Sequence, residues 1–305
     1  MPPRQVRAET NLARAPGLWA TGPVQLQLPF EAQGVGQLVR ASGRLRLTPD
    51  LDVLAWVAER WLSTPPLDPE GWSRFTLHDL ASDLYRSDPG RTERRHVRRS
   101  IERLMSCLVT VEGFDSETGR QGVAVATTSA PILVLISDLE RVGPDARKVG
   151  SLRGSTFRVQ LAPWLRAQLA AGGYTYLDWR VLRELDGLAK RAWVYLQAER
   201  FKPTGEGRSA TAIGLGAPAL ASLGADGYAR HRDARTYLAR AGERIAAVDD
   251  RFESVTVERR PGGWALVAVK LDAAERRRLE RERERVRAAI AASPLGEGLD
   301  FIRRT

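Results

Sequence analysis

Residues 91–127 read RTERRHVRRSIERLMSCLVTVEGFDSETGRQGVAVAT. Val97, Ile101, Leu104 and Leu108 recur at steps of four, three and four, which places them on one apolar stripe of a helix. Arg91, Arg95, Arg98 and Arg99 project from the opposite face, with Arg94 at its edge. Asp88-Pro89 just upstream is a start signal, a capping side chain followed by a proline at the first helical position. The period then changes. Residues 109–114 and 123–127 are short β-type runs joined by a polar loop containing Gly119, a hairpin pattern. Ahead of the arginine helix, residues 75–85 (FTLHDLASDLY) make a short helix with Leu77, Leu80, Ala81 and Leu84 on its apolar side.

The 305 residues are 43% hydrophobic, enough for one large domain or two small ones. The formal net charge of +10 favours a polyanionic partner: DNA, RNA or an anionic membrane. No apolar run approaches the roughly 20 residues a membrane helix needs, and the amino terminus has no apolar signal core, so a cytoplasmic protein without membrane contact is expected. Cys107 is the single cysteine. It forms no internal disulfide, rules out a cysteine-based zinc site and is expected to pack as a small apolar residue.

Residues 1–44, with Pro2, Pro3, Pro16, Pro23 and Pro29, read as an irregular basic arm with one short strand at 24–30. Residues 50–62 (DLDVLAWVAERWL) form an amphipathic helix with Leu51, Leu54, Ala55, Ala58 and Leu62 as its stripe; Thr48 and Pro49 start it and Pro65-Pro66 stop it. Residues 132–136 are a buried strand, 143–154 a basic loop, 157–161 a strand, and 163–171 a helix ended by Gly172-Gly173. Residues 177–185 are expected to be a short helix and 187–201 a strong one. A break at 203–207, a glycine- and alanine-rich stretch at 209–216 and a short helix at 218–223 follow. The opening motif then returns. Ala234, Leu238, Ala241, Ile245 and Val248 form a helical stripe. Arg232 and Thr236 face away from it, Arg235 and Arg240 flank that outer face, and Arg230 precedes it. Residues 254–259 and 264–271 alternate on either side of Pro261-Gly262-Gly263, the clearest hairpin in the chain, with Arg259 and Arg260 at its tip. Residues 273–292 are a solvated helix held by charge pairs four apart.

The chain is thus read as α+β: two tandem winged-helix domains, 45–171 and 172–271, with a basic N-terminal arm (1–44) and a charged helical tail (272–305). In a winged helix the second helix of the helix-turn-helix enters the DNA major groove. Arg91, Arg94, Arg95, Arg98 and Arg99 in the first unit, and Arg230, Arg232, Arg235, Thr236, Arg240, Arg259 and Arg260 in the second, are the candidate DNA contacts. The pieces LTPDLDVLAWVAERWL, FTLHDLASDLYR, RRHVRRSIERLMSCLVTVEG, TFRVQLAPWLRAQL, YTYLDWRVLRELDGLAKRAWVYLQAERF and the 228–270 unit resemble plasmid replication initiator proteins of the paired winged-helix type, often called replication initiator protein A. That resemblance implies binding of double-stranded origin repeats, recruitment of host replication initiator and helicase proteins, and self-repression as a homodimer.

No GxxxxGK[ST] phosphate loop is present, so ATP-driven melting by this chain is not expected. His78, His96 and His231 are far apart in sequence and do not form the paired cluster of a metal-dependent nicking enzyme. No catalytic residue, metal or cofactor is expected. Trp56, Trp61, Trp164, Trp179, Trp193 and Trp264 are assigned to the core. A transcriptional regulator with tandem winged helices is the alternative within DNA binding; a primase or nicking enzyme and a non-specific basic scaffold are further readings. Several regularly spaced direct repeats beside the gene point to an initiator, a single palindrome to a regulator.

Overall fold

Two helices buried on nearly every face occupy the middle of the protein. The structure is a computed structural model and describes residues 5–9, 18–20, 30–34, 37–41, 45–64, 70, 72–85, 88–111, 128–136, 156–170, 172–225, 228, 230–278 and 281. Strands β1 (Gln5–Glu9), β2 (Trp19–Ala20), β3 (Phe30–Gly34), β4 (Gln37–Ala41) and β5 (Leu45–Arg46) lead to a wide turn, Leu47–Leu51, and helix α1 (Asp52–Leu62). Then come β6 (Trp72–Thr76), α2 (Leu77–Tyr85), α3 (Arg91–Ser106), β7 (Leu108–Val111), β8 (Thr128–Pro131), β9 (Leu133–Ile136), β10 (Thr156–Leu161) and α4 (Pro163–Ala170). The second half runs β11 (Tyr174–Asp178), α5 (Trp179–Glu184), α6 (Gly187–Gln197), β12 (Lys202–Gly205), β13 (Arg208–Gly214), α7 (Ala217–Ser222), α8 (His231–Val248), β14 (Phe252–Arg260) and β15 (Gly263–Leu271). The chain is α+β. Its sheets have the orders β3-β4-β7-β8, β6-β10-β9 and β12-β13-β15-β14, with the pairs β1-β11 and β2-β5 beside them.

Several expectations change. Residues 1–44 are not an irregular arm throughout: β1 pairs antiparallel with β11, Val6 opposite Leu177, and Val6 is fully buried. Alternation in QVRAE puts Val6 and Ala8 on the inner face, and the second half supplies their partner, a long-range pairing that local sequence does not announce. The expected strand at 24–30 lies outside the described residues apart from Phe30, which begins β3. Helix α1 is not amphipathic in the ordinary sense, since Leu51 through Ala58 are all buried, including Asp52, Val53, Trp56 and Val57. The same holds for α6 from Ala189 through Leu196. Helix α3 starts at Arg91 with Gly90 as its cap, so Asp88-Pro89 stands one step outside it. Leu108 leaves the stripe, begins β7 and is 46% exposed, while Cys107, which is in no disulfide, takes the buried position. The segment expected as a short helix at 177–185 begins as β11 and becomes helix only at Trp179. Asp178 caps that helix, accepting a hydrogen bond from the Val181 N–H at 3.0 Å. The glycine- and alanine-rich stretch at 209–216 is mostly strand β13, and 203–207 is its hairpin partner and turn. The hairpin after α3 pairs β7 with β8, and residues 112–127 and 137–155 lie outside the described residues. Of the tail, residues 273–278 are helical, with Arg278 bound to Glu275 at 2.6 Å.

One hydrophobic cluster runs from Val6 to Ala268 and crosses the expected boundary at 171/172. Charge crosses it too. The Lys190 ammonium on α6 lies 2.6 Å from the Asp52 carboxylate on α1, and their side chains are 1% and 5% exposed. Lys190 also donates to the Thr48 hydroxyl at 2.9 Å. Burial pushes the Asp52 carboxyl above its ordinary value, against the pull of Lys190. A buried charge that loses its partner costs about 3–5 kcal/mol, whereas replacing both partners by apolar groups is often neutral. Lys190→Met is therefore expected to destabilise the protein by about 3–5 kcal/mol, and Asp52→Leu added to it should recover most of that loss. Urea unfolding of the two variants tests this; a double variant no more stable than the single one would show that the pair is not what joins the helices.

Candidate nucleic-acid interface

Helix α3 sorts its arginines by face. Val97, Ser100, Ile101 and Leu104 are buried against the first half. Arg103 donates through Nε and Nη2 to the wholly buried Asp50 carboxylate at 2.8 and 2.5 Å, and Asp50 also accepts the Arg46 N–H at 2.8 Å. This bidentate pair fixes α3 to the turn before α1. Arg94 is half-buried and donates to the Pro89 carbonyl at 2.6 Å, so its guanidinium serves the start of the helix. Arg98 pairs with Glu102 at 3.0 Å, both side chains more than half exposed; such a surface pair is worth roughly 0–1 kcal/mol and yields readily to a phosphate. Arg91, Arg95 and Arg99 are exposed, and among the described residues none has an acidic partner. Four-residue steps line them along one side of the helix.

Helix α8 repeats the arrangement on a different support. All five stripe residues, Ala234, Leu238, Ala241, Ile245 and Val248, are buried. Gly242 seats the helix on β14: a Cβ there would lie 2.2 Å from the Val255 carbonyl oxygen. At the far end, Asp249 accepts from the Trp193 indole N–H at 2.7 Å and from Arg251 at 2.8 and 2.7 Å. Burial raises the Asp249 carboxyl, but the Arg251 and Trp193 bonds outweigh it and hold the group below its ordinary value. Arg230, Arg232, Thr236 and Arg240 are exposed, as expected, and the Thr236 hydroxyl donates back to the Arg232 carbonyl at 3.1 Å.

The hairpin β14–β15 joins this face. Pro261 and Gly262, the latter at φ 95°, form a turn that needs a left-handed second corner. Arg259 and Arg260 are exposed at the tip, with Arg260 3.2 Å from Glu258. Trp264 is 41% exposed, which overturns its assignment to the core. Next to a turn it has strand on one side only, and Arg259 stands opposite it in register. The Arg235 guanidinium covers its indole at 4.4 Å, tying helix to hairpin. Tyr237, 44% exposed on the outer face of α8, stacks on Tyr228 at 4.7 Å and has Arg240 5.8 Å from its ring. Arg235, Arg259 and Trp264 are thus one surface, although sequence places only the two arginines there. Trp56, Trp61, Trp164, Trp179 and Trp193 are buried as expected. Lys270 on β15 is withdrawn between Phe201 and Phe252, 4.1 and 4.9 Å from their rings. Among the described residues no group of three or more His, Cys, Asp or Glu could hold a metal ion, and no helix is long and apolar enough to cross a membrane.

No protein-family model matches the chain, and no curated protein matches it. Solved structures do. A crystal structure of domains 2 and 3 of RctB, as selenomethionine derivatives, aligns with a TM-score of 0.53 at 15% identity, over 87% of this chain and 99% of that one. A second crystal structure of RctB domains 2–3 aligns with a TM-score of 0.49 at 13% identity, over 88% and 99%. At this identity the likeness is one of fold.

Gly242→Ala should destabilise the protein by about 1–3 kcal/mol despite alanine's better helix propensity, because the methyl meets a backbone carbonyl. A raised urea midpoint would contradict the close seat of α8. Burial lowers the Lys270 ammonium from 10.5 to about 8, with Arg251 adding to the effect. Below pH 8 the cost of holding that charge is present in full; between 8 and 10.5 only the unfolded chain keeps the proton, so this group adds stability as pH rises. The stability of Lys270→Met relative to the parent should therefore fall between about pH 7 and about pH 10, and a difference that ignores pH would sink the assignment.

Proposed function

We propose that each half of this protein is a winged helix and that the chain binds double-stranded DNA sequence-specifically at the repeats of a plasmid origin. Helices α3 and α8 would enter successive major grooves, with the β14–β15 hairpin as the second wing. One observation carries the reading: each half presents a helix whose inner stripe is buried and whose outer face holds exposed arginines, and each such helix runs directly into an antiparallel strand pair. The fold shared with domains 2 and 3 of RctB, a replication initiator protein, supports initiation over other uses of the same surface. In this reading the chain performs no catalysis. It recruits host replication initiator and helicase proteins to the DNA it marks, and as a homodimer it represses its own promoter.

Arg91, Arg95 and Arg99 are the principal contacts of the first unit, with Arg98 released from Glu102 on binding. In the second unit they are Arg230, Arg232, Thr236, Arg240 and the Arg235–Trp264–Arg259 surface. The test is footprinting on the DNA flanking the gene. Regularly spaced direct repeats are expected, and one isolated palindrome would turn the reading to a transcriptional regulator. On the protected site, Arg95→Ala with Arg99→Ala should weaken binding by roughly 1–3 kcal/mol for each arginine that reads a base. For each arginine that neutralises a phosphate, the slope of log affinity against log salt should fall by about one. A folded double variant that binds as tightly as the parent at every salt concentration would remove α3 from the interface.

A further inference from the structure

A second basic surface is built from elements other than the two arginine-faced helices. At the carboxyl end of α1, against β6 and β10, there is a groove of about 510 Å³, within the roughly 300–1,000 Å³ range of small-ligand sites. Arg60, Arg74 and Arg158 line it, together with Trp61 and Trp72. Arg74 and Arg158 stand directly opposite one another in the β6–β10 register. Opposite residues of an antiparallel pair share one face, so two guanidiniums are gathered on one wall of the groove, a concentration of positive charge that attracts an anion. Arg60 is braced there, its Nε donating to the Arg74 carbonyl at 2.9 Å and its guanidinium 5.2 Å from the Trp56 ring. Arg158 lies 4.6 Å from the Trp72 ring, and the Trp72 indole N–H is held by Glu70 at 2.8 Å, which fixes the plane of the ring. Ser73, also in the lining, is only 5% exposed, yet its hydroxyl has no hydrogen-bond partner among the described residues. A buried hydroxyl left in that condition costs about 1–3 kcal/mol. None of these residues belongs to α3, α8 or the β14–β15 hairpin.

We propose that this groove is a nucleotide-binding site, in which Arg60 and Arg74 hold phosphate and a planar base lies against Trp72, the half-buried tryptophan of the lining. Guanidinium groups match phosphate oxygens with paired N–H donors, and indole faces accept any base by stacking. A bare anion would use the arginines alone, whereas a nucleotide also uses the half-buried Trp72 ring. The chain has no glycine-rich phosphate loop, so the site binds without a device for hydrolysis. The nucleotide is either free or one unit of a single strand.

Tryptophan fluorescence and calorimetry on the full chain test the proposal, with ATP, adenosine, inorganic triphosphate and a five-residue single-stranded oligodeoxyadenylate as probes. ATP is expected to bind at least tenfold more tightly than adenosine or triphosphate. Arg74→Ala should weaken ATP at least tenfold while leaving thermal unfolding unchanged, because Arg74 is exposed, and Arg74→Lys should restore part of that affinity. Tighter binding of the oligonucleotide assigns the site to a strand; equal or weaker binding assigns it to a free nucleotide. The Arg95→Ala, Arg99→Ala variant should bind ATP like the parent, which separates this site from the α3 face. Triphosphate binding as well as ATP would overturn the base contact. No binding of any probe, or unchanged binding by both Arg74→Ala and Trp72→Phe, would overturn the site.

Discussion

The Lys190–Asp52 pair holds the structure to one arrangement. Two charges removed from water are tolerable only beside each other, so α1 and α6 must meet at that point and in that orientation. Apolar contact alone would let two buried helices slide or rotate, since burial is nearly indifferent to direction. From this tie both basic helices take their positions. The turn before α1 carries Asp50, which grips α3 through Arg103. Helix α6 carries Trp193, which reaches Asp249 at the end of α8. Each basic helix is therefore anchored through a buried carboxylate linked to the central pair.

The arginines divide into two populations by what they touch. Arg94, Arg103 and Arg251 are spent on carbonyls and carboxylates of the fold. Arg91, Arg95, Arg99, Arg232 and Arg240 are exposed on outer helix faces. Arg235 is intermediate: its guanidinium lies over the Trp264 ring, so the helix and the hairpin present a single surface instead of two. A basic composition becomes a directed surface only through this sorting, because an arginine already bonded to a buried acid has few donors left for a polyanion.

Much of the fold can be read from periodicity. The stripe Ala234, Leu238, Ala241, Ile245 and Val248 is buried to the last member, and Leu77, Leu80, Ala81 and Leu84 likewise, because a helix facing a core on one side only repeats at about 3.6 residues. The β14–β15 hairpin is visible for the same kind of reason, since alternation and a Pro-Gly-Gly turn are both local. Helices α1 and α6 are harder. Their polar residues look like a solvent face, and only the charge on the other helix turns that face inward. Trp264 escapes the reading because its residue type argues for the core while its position, close after a turn, leaves it 41% exposed with the Arg235 guanidinium over its ring.

Sequence by itself determined the α+β class, the two basic helices with their inner stripes, and the hairpin that follows α8, since each is written in spacings of two, three or four residues. Tertiary structure alone decided that β1 pairs with β11, that Lys190 meets Asp52, and that Arg74 faces Arg158 across β6 and β10. Lys190 and Asp52 stand 138 residues apart in the chain, and the strand partners are comparably remote. No local pattern records which of many possible partners a residue will meet; the folded chain selects the arrangement that sets Lys190 beside Asp52 in the interior.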